Sequence, residues 1–282
     1  MSSTFTRLDS GRFGPWALVT GSSSGIGMEF ARQAAASGIN VVLAARRQHL
    51  LEDLGRQLAN DFGVQYRTVG VDLTDEDFLD PIRAATDDLD VGLLISNAGA
   101  PLLAEFVDTP VDSLLRQIRL DVSAPLQLIR HFAPRLARRG RGGVILVSAM
   151  GAAQGLPLAA TGAAGKSFLL SLGYGLHDEF ARLGLNTTVL IPGPTDTRVL
   201  GMMGMDPARM PIKPISAQVS AAEALAALVA NRPSHISGRV TRLVYRLMPE
   251  SVTTRMARSM LANAFAARSG AALPGVIEGG QG

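Results

Sequence analysis

Short apolar runs alternate along this chain with stretches whose apolar positions recur three and four residues apart. Residues 16–19, 41–45, 91–95, 143–148 and 187–191 have the length and aliphatic content of strands buried on both faces, and 65–71 reads as a more polar strand. Helical spacing fills 28–36, 50–60 and 75–86, the last opened by Thr74 as its expected N-cap. In 111–138, Leu114, Leu115, Ile118, Val122, Leu126 and Ile129 keep helical spacing despite Pro125 and Pro134, which predicts one long, kinked helix. A loop then a helix is expected over 157–183, and an amphipathic helix over 219–230. Strand and helix alternate, so the expected class is α/β, a parallel sheet with right-handed crossovers.

The region 200–215 holds four methionines (Met202, Met203, Met205, Met210) and three prolines and reads as a lid. Flexible thioethers suit an adaptable apolar surface, with ordinary core packing as the alternative. Beyond Pro233, 240–246 and 250–266 carry Leu243, Val244, Leu247, Met256, Met260, Leu261 and Phe265 among Arg239, Arg242, Arg246, Arg255 and Arg258. The expectation is helices packed on the body with a solvated basic face; the alternative is a membrane-surface stretch. The glycine-rich 269–282 is expected to be a disordered tail, with 1–268 forming a single domain.

With 282 residues and 47% hydrophobic content the chain can bury a full core. A formal charge of +3 from scattered arginines gives no dedicated nucleic-acid surface. Zero cysteines exclude disulfides, thiolate metal sites and a cysteine nucleophile, and the four scattered histidines lack ligand spacing. A polar N-terminus and the absence of a membrane-length apolar run make a soluble, cytoplasmic protein the expectation.

Chemistry concentrates at the predicted strand ends. Thr20-Gly21-Ser22-Ser23-Ser24-Gly25-Ile26-Gly27 joins the first strand to the first helix. Glycines there permit a tight turn and a close ligand approach, and the helix N–H groups favour a pyrophosphate. Arg46 and Arg47 close the second strand about 20 residues later, where a guanidinium pair can hold a phosphate that a carboxylate would repel. Ala160 to Ser167 also fits a relaxed phosphate-loop pattern, but no strand precedes it directly, so coincidence is the reading adopted.

The order of these motifs, Thr20 to Gly27, Asp72-Leu73, Asn97-Ala98-Gly99, the strand ending at Ser148, Lys166 and Pro192-Gly193, resembles the short-chain dehydrogenase/reductase superfamily over roughly residues 15–265. The resemblance implies a Rossmann-like, doubly wound, three-layer fold, here with extra C-terminal helices in place of the usual last strand. It implies a nicotinamide dinucleotide, NADP(H) in preference to NAD(H), held by Gly21, Ser23, Ser24, Gly25, Ile26, Gly27, Arg46, Arg47, Asp72, Leu73, Asn97, Ala98, Gly99, Lys166, Pro192, Gly193 and Thr195. A homodimer, a hydrophobic small-molecule substrate and peripheral lipid contact through the C-terminal helices complete the expected partners.

Family chemistry uses Asn, Ser, Tyr and Lys, the tyrosine standing four residues before the lysine. Lys166 is present, but Gly162 occupies the tyrosine position, and no Tyr-x-x-x-Lys occurs in the chain. The serine position falls on Ala149, with Ser148 adjacent, and the asparagine position on Asp121. Asp121, Lys166, Ser148 and Thr161 are therefore the candidate catalytic residues. Loss of the phenol favours a non-redox step such as cyclisation, elimination or isomerisation in an enlarged apolar cavity. The alternatives are an NADPH-dependent carbonyl reductase with a substitute proton donor and a silent cofactor-binding partner.

Overall fold

The computed structural model describes residues 5–150, 155–248 and 250–269. Six strands, β1 (Trp16–Thr20), β2 (Asn40–Ala45), β3 (Tyr66–Gly70), β4 (Val91–Ser96), β5 (Gly142–Val147) and β6 (Leu185–Ile191), stand close to the boundaries that apolar runs predict. Two-residue strands β7 (Thr195–Asp196) and β8 (Ile215–Ser216) pair with each other, and β9 (Ser234–Ile236) closes the main sheet. The order is β3-β2-β1-β4-β5-β6-β9, parallel throughout. The order reverses between β1 and β4, which opens a crevice beyond their carboxyl ends. A last strand was not expected; Ser-His-Ile lacks an apolar run, yet it pairs with β6 from Val189↔Ser234 to Ile191↔Ile236.

Residues alternate between two apolar layers, so both sheet faces are buried. Ala17, Val19, Val41, Leu43, Leu93 and Ile95 face one core, with Phe30, Leu51, Leu58, Leu225 and Leu228. The helices α2 (Gly25–Ala36), α3 (Gln48–Phe62) and α9 (Ala217–Val229) form that layer. Leu18, Val42, Leu94, Val144 and Leu146 face the other core, with Ile82, Leu128, Phe132 and Phe180. That layer is built by α4 (Leu79–Thr86), α5 (Val111–Ile118), α6 (Ala124–Arg139) and α7 (Ala160–Ala181). A short helix α1 (Ser10–Phe13), capped by the Asp9 carboxylate on the Gly11 N–H, places Phe13 in the first core; one turn is too short to show a period.

One local expectation is corrected and another is refined. Thr74 does not cap a helix: its N–H and hydroxyl both donate to Asp72 Oδ1, and α4 begins only at Leu79. A helix from 75 would need Pro81 to donate to the Asp77 carbonyl, which proline cannot do. The long helix is interrupted at neither proline; α5 and α6 are joined by a π turn, Arg119–Ser123, closed by Ala124 N–H on the Arg119 carbonyl. Pro125 lacks the N–H that would hold the Asp121 carbonyl in an α pattern, so the wider turn falls at Asp121.

After β7, the expected lid contains α8 (Arg198–Met202) and a 3₁₀ turn, Pro207–Arg209. The chain continues through α9 and β9 into α10 (Arg239–Leu247) and α11 (Glu250–Ser269). Leu261 of α11 is buried against Leu103, with Leu156, Leu158, Met203, Met205 and Phe265 around them. Residues 270–282 of the expected tail lie outside the described residues. Among the described residues no helix is long and apolar enough to cross a membrane.

Candidate active site

The glycine-rich turn is locked from below by the end of β4. Asn97 donates its side-chain amide to the Thr20 carbonyl at 2.9 Å, and the Thr20 hydroxyl accepts from the Asn97 and Ala98 N–H groups at 3.0 and 3.1 Å. Gly21 has φ +68°, and a Cβ there would stand 2.8 Å from Ala98 Cα. A Cβ at Gly27 would collide with the Asn97 amide and the Gly21 carbonyl. Asn97 thus braces the turn, and Thr20, the first residue of the turn motif and the last of β1, is its counterpart. At the start of α2 the Ser24 side chain makes no capping bond, which leaves the first helical N–H groups available to an anion.

The end of β2 faces the same turn. Arg47 donates from one guanidinium nitrogen to Ser23 Oγ at 2.9 Å and to Ser24 Oγ at 3.4 Å. Among the described residues no carboxylate lies within ion-pair distance of Arg47. Arg46 is exposed. Burial alone would raise the Asp72 carboxyl, but the two Thr74 hydrogen bonds and the Arg46 and Arg116 charges together hold it below its ordinary value. A helix N-terminus that could hold a phosphate group therefore stands beside the Arg47 guanidinium, with Arg46 close enough to act on Asp72. Opposite, the β6 end is held by Gly193 N–H on Ser237 Oγ and Thr195 hydroxyl on the Gly193 carbonyl, and Thr197 approaches Gly25. Pro192 and Leu73 lie at the ends of β6 and β3 and make no side-chain hydrogen bond.

Beyond β4 and β5 lies a buried charged pair. Lys166 Nζ stands 3.1 Å from Asp121 Oδ1 and donates to the Val147 carbonyl at 3.1 Å. Asp121 is 1% exposed, and its other oxygen accepts a short hydrogen bond from Gln117, whose amide also donates to the Ala100 carbonyl. Gly165 makes the contact possible, since a Cβ there would come within 2.8 Å of Asp121 Cβ. Gly99 covers the pair; its absent Cβ would lie 3.2 Å from Lys166 Nζ. Gln117 escaped the sequence reading because an amide one turn before Asp121 carries no motif.

Ser148 is buried and donates its hydroxyl to the Lys166 backbone carbonyl at 2.7 Å, so it anchors α7 to the end of β5. The position one turn before Lys166 is open: a Cβ on Gly162 would meet only Gln117 Nε2, at 3.7 Å. Thr161 and Gly162 line a cleft with Leu102, Phe106, Thr109, Leu114 and Leu158 whose space, about 20 Å³, is that of a water and smaller than the enlarged apolar cavity expected from loss of the phenol. The chain's tyrosines are engaged elsewhere. Tyr66 packs on Gly55, Tyr174 shares a hydrogen bond with Ser234, and Tyr245 of α10 donates to the Met150 carbonyl at 3.4 Å, its phenol raised by burial. Residues 160–167 are helical, with Lys166 bound to Asp121, which is no phosphate loop. Among the described residues no cluster could hold a metal ion.

Residues 15–206 match the family described as short chain dehydrogenase. The 7beta-hydroxysteroid dehydrogenase of Mediterraneibacter gnavus is 30% identical over 186 residues, 66% of this chain and 71% of that protein. The very-long-chain 3-oxoacyl-CoA reductase of Bos taurus is 29% identical over 64% of this chain and 59% of its own length. A structure reported for 7beta-hydroxysteroid dehydrogenase stereoselectivity superposes with TM-score 0.80 at 26% identity, covering 88% of this chain and 98% of the other. A short-chain dehydrogenase from Sphingobium yanoikuyae in complex with NADPH superposes with TM-score 0.74 at 25% identity, covering 84% and 97%.

Proposed function

The chain belongs to the short-chain dehydrogenase family, and from that premise we propose that it is an NADP(H)-dependent oxidoreductase interconverting a bulky hydrophobic ketone and its secondary alcohol. The observation that carries this reading is the Lys166–Asp121 pair, set beside a phosphate-ready turn at the same sheet edge. Relatives named as hydroxysteroid dehydrogenase and oxoacyl-CoA reductase support redox chemistry and give the expected non-redox step no support.

The residues present fit the cofactor. The N-terminus of α2 would hold the pyrophosphate, Arg47 and Arg46 the 2′-phosphate, and Lys166 the nicotinamide ribose. When bound, NADPH supplies the hydride to the carbonyl carbon. The chain's own residues must then deliver one proton to the carbonyl oxygen. Lys166 donates one N–H to the Val147 carbonyl and stands as an ion pair with Asp121, which leaves its remaining donor capacity to the cleft. Lys166 and Gly162 are one turn apart on α7 and share a face, so the ammonium can serve the space a phenol fills elsewhere in the family. Thr161, next to Gly162 on α7, offers a hydroxyl at the small cleft beside that position. Asp121, steadied by Gln117, aims the lysine, and Ser148 fixes the helix that carries it.

The apolar group Leu103, Leu156, Leu158, Met203, Met205 and Leu261 supports a large, oily substrate. An exposed row, Val111, Leu115, Ile118 and Leu126 on α5 and α6, supports a homodimer. The deciding experiment incubates the protein with NADPH and a panel of steroid and long-chain ketones, following cofactor oxidation and alcohol formation by mass spectrometry. Stoichiometric alcohol and NADP⁺ are expected; tight NADPH binding without oxidation on any ketone overturns the reductase reading.

A further inference from the structure

Helix α10 is turned inside out. Its outward arc carries Val240, Leu243 and Leu247, which are 61%, 57% and 70% exposed. Its inward arc carries Thr241, Arg242 and Tyr245, with Val244 partly buried. Thr241 is 2% exposed against Gly193, Tyr245 reaches the Met150 carbonyl, and Arg242 donates to Glu223 at 2.6 Å and to the Ile236 carbonyl at 2.8 Å. A helix packed for water would present the opposite faces. The three aliphatic positions follow the i, i+3, i+7 spacing of a single stripe, and exposed Arg239 and Arg246 flank it on one side.

Charge limits what can cover that stripe. From 239 to 269 the sequence holds Arg239, Arg242, Arg246, Arg255, Arg258 and Arg268 against one carboxylate, Glu250. Arg255 and Arg258 of α11 are exposed as well. A second copy of this face would bring like charges together. A nine-residue helix is also only about 14 Å long, far short of the roughly 800 Å² per partner of a stable protein interface. Aliphatic side chains rimmed by arginines suit a surface whose interior is apolar and whose headgroups are anionic.

We propose that the Val240–Leu243–Leu247 face of α10 docks on an anionic lipid surface, with Arg239 and Arg246 on the headgroups. The location gives docking a purpose. Tyr245 ties the inner face of α10 to the segment following β5, and α11 continues from α10 to bury Leu261 on the apolar cluster beside the cavity. A lipid-soluble molecule could thus pass from the bilayer toward the cleft beside α11. The docking itself does not depend on the reductase reading.

The test is co-sedimentation of the full chain with phosphatidylcholine vesicles, with and without phosphatidylserine, over a range of salt. Parallel measurements use Leu243→Glu/Leu247→Glu and Arg239→Glu/Arg246→Glu, with thermal melting as the folding control and Leu243→Ser/Leu247→Ser as the milder variant. The wild type is expected to bind phosphatidylserine vesicles and be released by salt, and each double substitution to weaken binding about tenfold or more. No binding to phosphatidylserine vesicles overturns the proposal. Binding that survives in folded leucine variants also overturns it, because another surface would then be responsible. A wild-type dimer that the leucine variants dissolve, without vesicle binding, assigns the face to a second copy instead.

Discussion

Lys166 Nζ and Asp121 Oδ1 face each other at 3.1 Å in a site where the carboxylate is 1% exposed, and the contact exists because Gly165 lets α7 lie directly on the π turn. Removing one partner of such a pair leaves a buried charge uncompensated, at about 3–5 kcal/mol. Lys166→Met is therefore expected to lower the unfolding free energy by that order in denaturant titration. Asp121→Asn in the same chain should recover part of it. A reductase rate lost in Lys166→Met and still absent in the partly restabilised double variant separates the chemical role of the lysine from its structural one.

Gly162 stands one helical turn before Lys166, and the backbone there has room for a Cβ, which would meet nothing closer than Gln117 Nε2 at 3.7 Å. Gly162→Tyr is expected to raise the rate of ketone reduction by about 10²-fold or more, within the range a positioned acid supplies. Replacing glycine inside a helix also stabilises α7, by up to about 1 kcal/mol for alanine. The comparison of Gly162→Ala with Gly162→Tyr, by melting and by turnover, isolates the phenol from the backbone effect.

The sheet was legible because strands buried on both faces are continuous apolar runs, and β1, β2, β4, β5 and β6 fall within a few residues of those runs. What escaped was set by contacts that no local period records. β9 has no apolar run and is placed by pairing with β6, while α1 is a single turn placed by Phe13 and an aspartate cap. The candidate catalytic residues were legible as types, but their roles were not. Ser148 points into the Lys166 carbonyl, Asn97 is engaged by the turn it braces, and Gln117 emerges only once α5 and α7 are packed together. For α10 the amphipathic pattern gives two faces, and the contact of Arg242 with Glu223, which no local period records, fixes which side of the helix packs on the body.

Arg47 lies against Ser23 and Ser24 with no carboxylate partner among the described residues, so its charge is available to a phosphate. A charge-assisted contact of this kind contributes about 1.5–3 kcal/mol. Arg47→Ala is accordingly expected to weaken NADPH binding by about ten- to a hundredfold in calorimetric titration and to leave NADH affinity nearly unchanged. Equal losses for both cofactors would place Arg47 at the pyrophosphate and not at the 2′-phosphate.

Glu223 is the anchor of α10, and its titration offers a way to loosen that helix alone. Burial would raise its carboxyl, but hydrogen bonds from His235, Arg242 and the Gly238 N–H outweigh it and hold the value at about 2, against an ordinary 4.5. A carboxylate depressed in the folded state contributes stability above its unfolded value, and the contribution is lost as pH falls through the folded one. Glu223→Gln should therefore melt below the wild type at neutral pH, and the gap should narrow as pH falls from about 4.5 toward 2. Because Arg242 then loses its carboxylate, hydrogen exchange in 239–247 should speed up at neutral pH more than exchange in β1 or β4. A gap that stays constant with pH would mean the carboxylate contributes by packing, and uniform exchange would mean that α10 opens only with the whole fold.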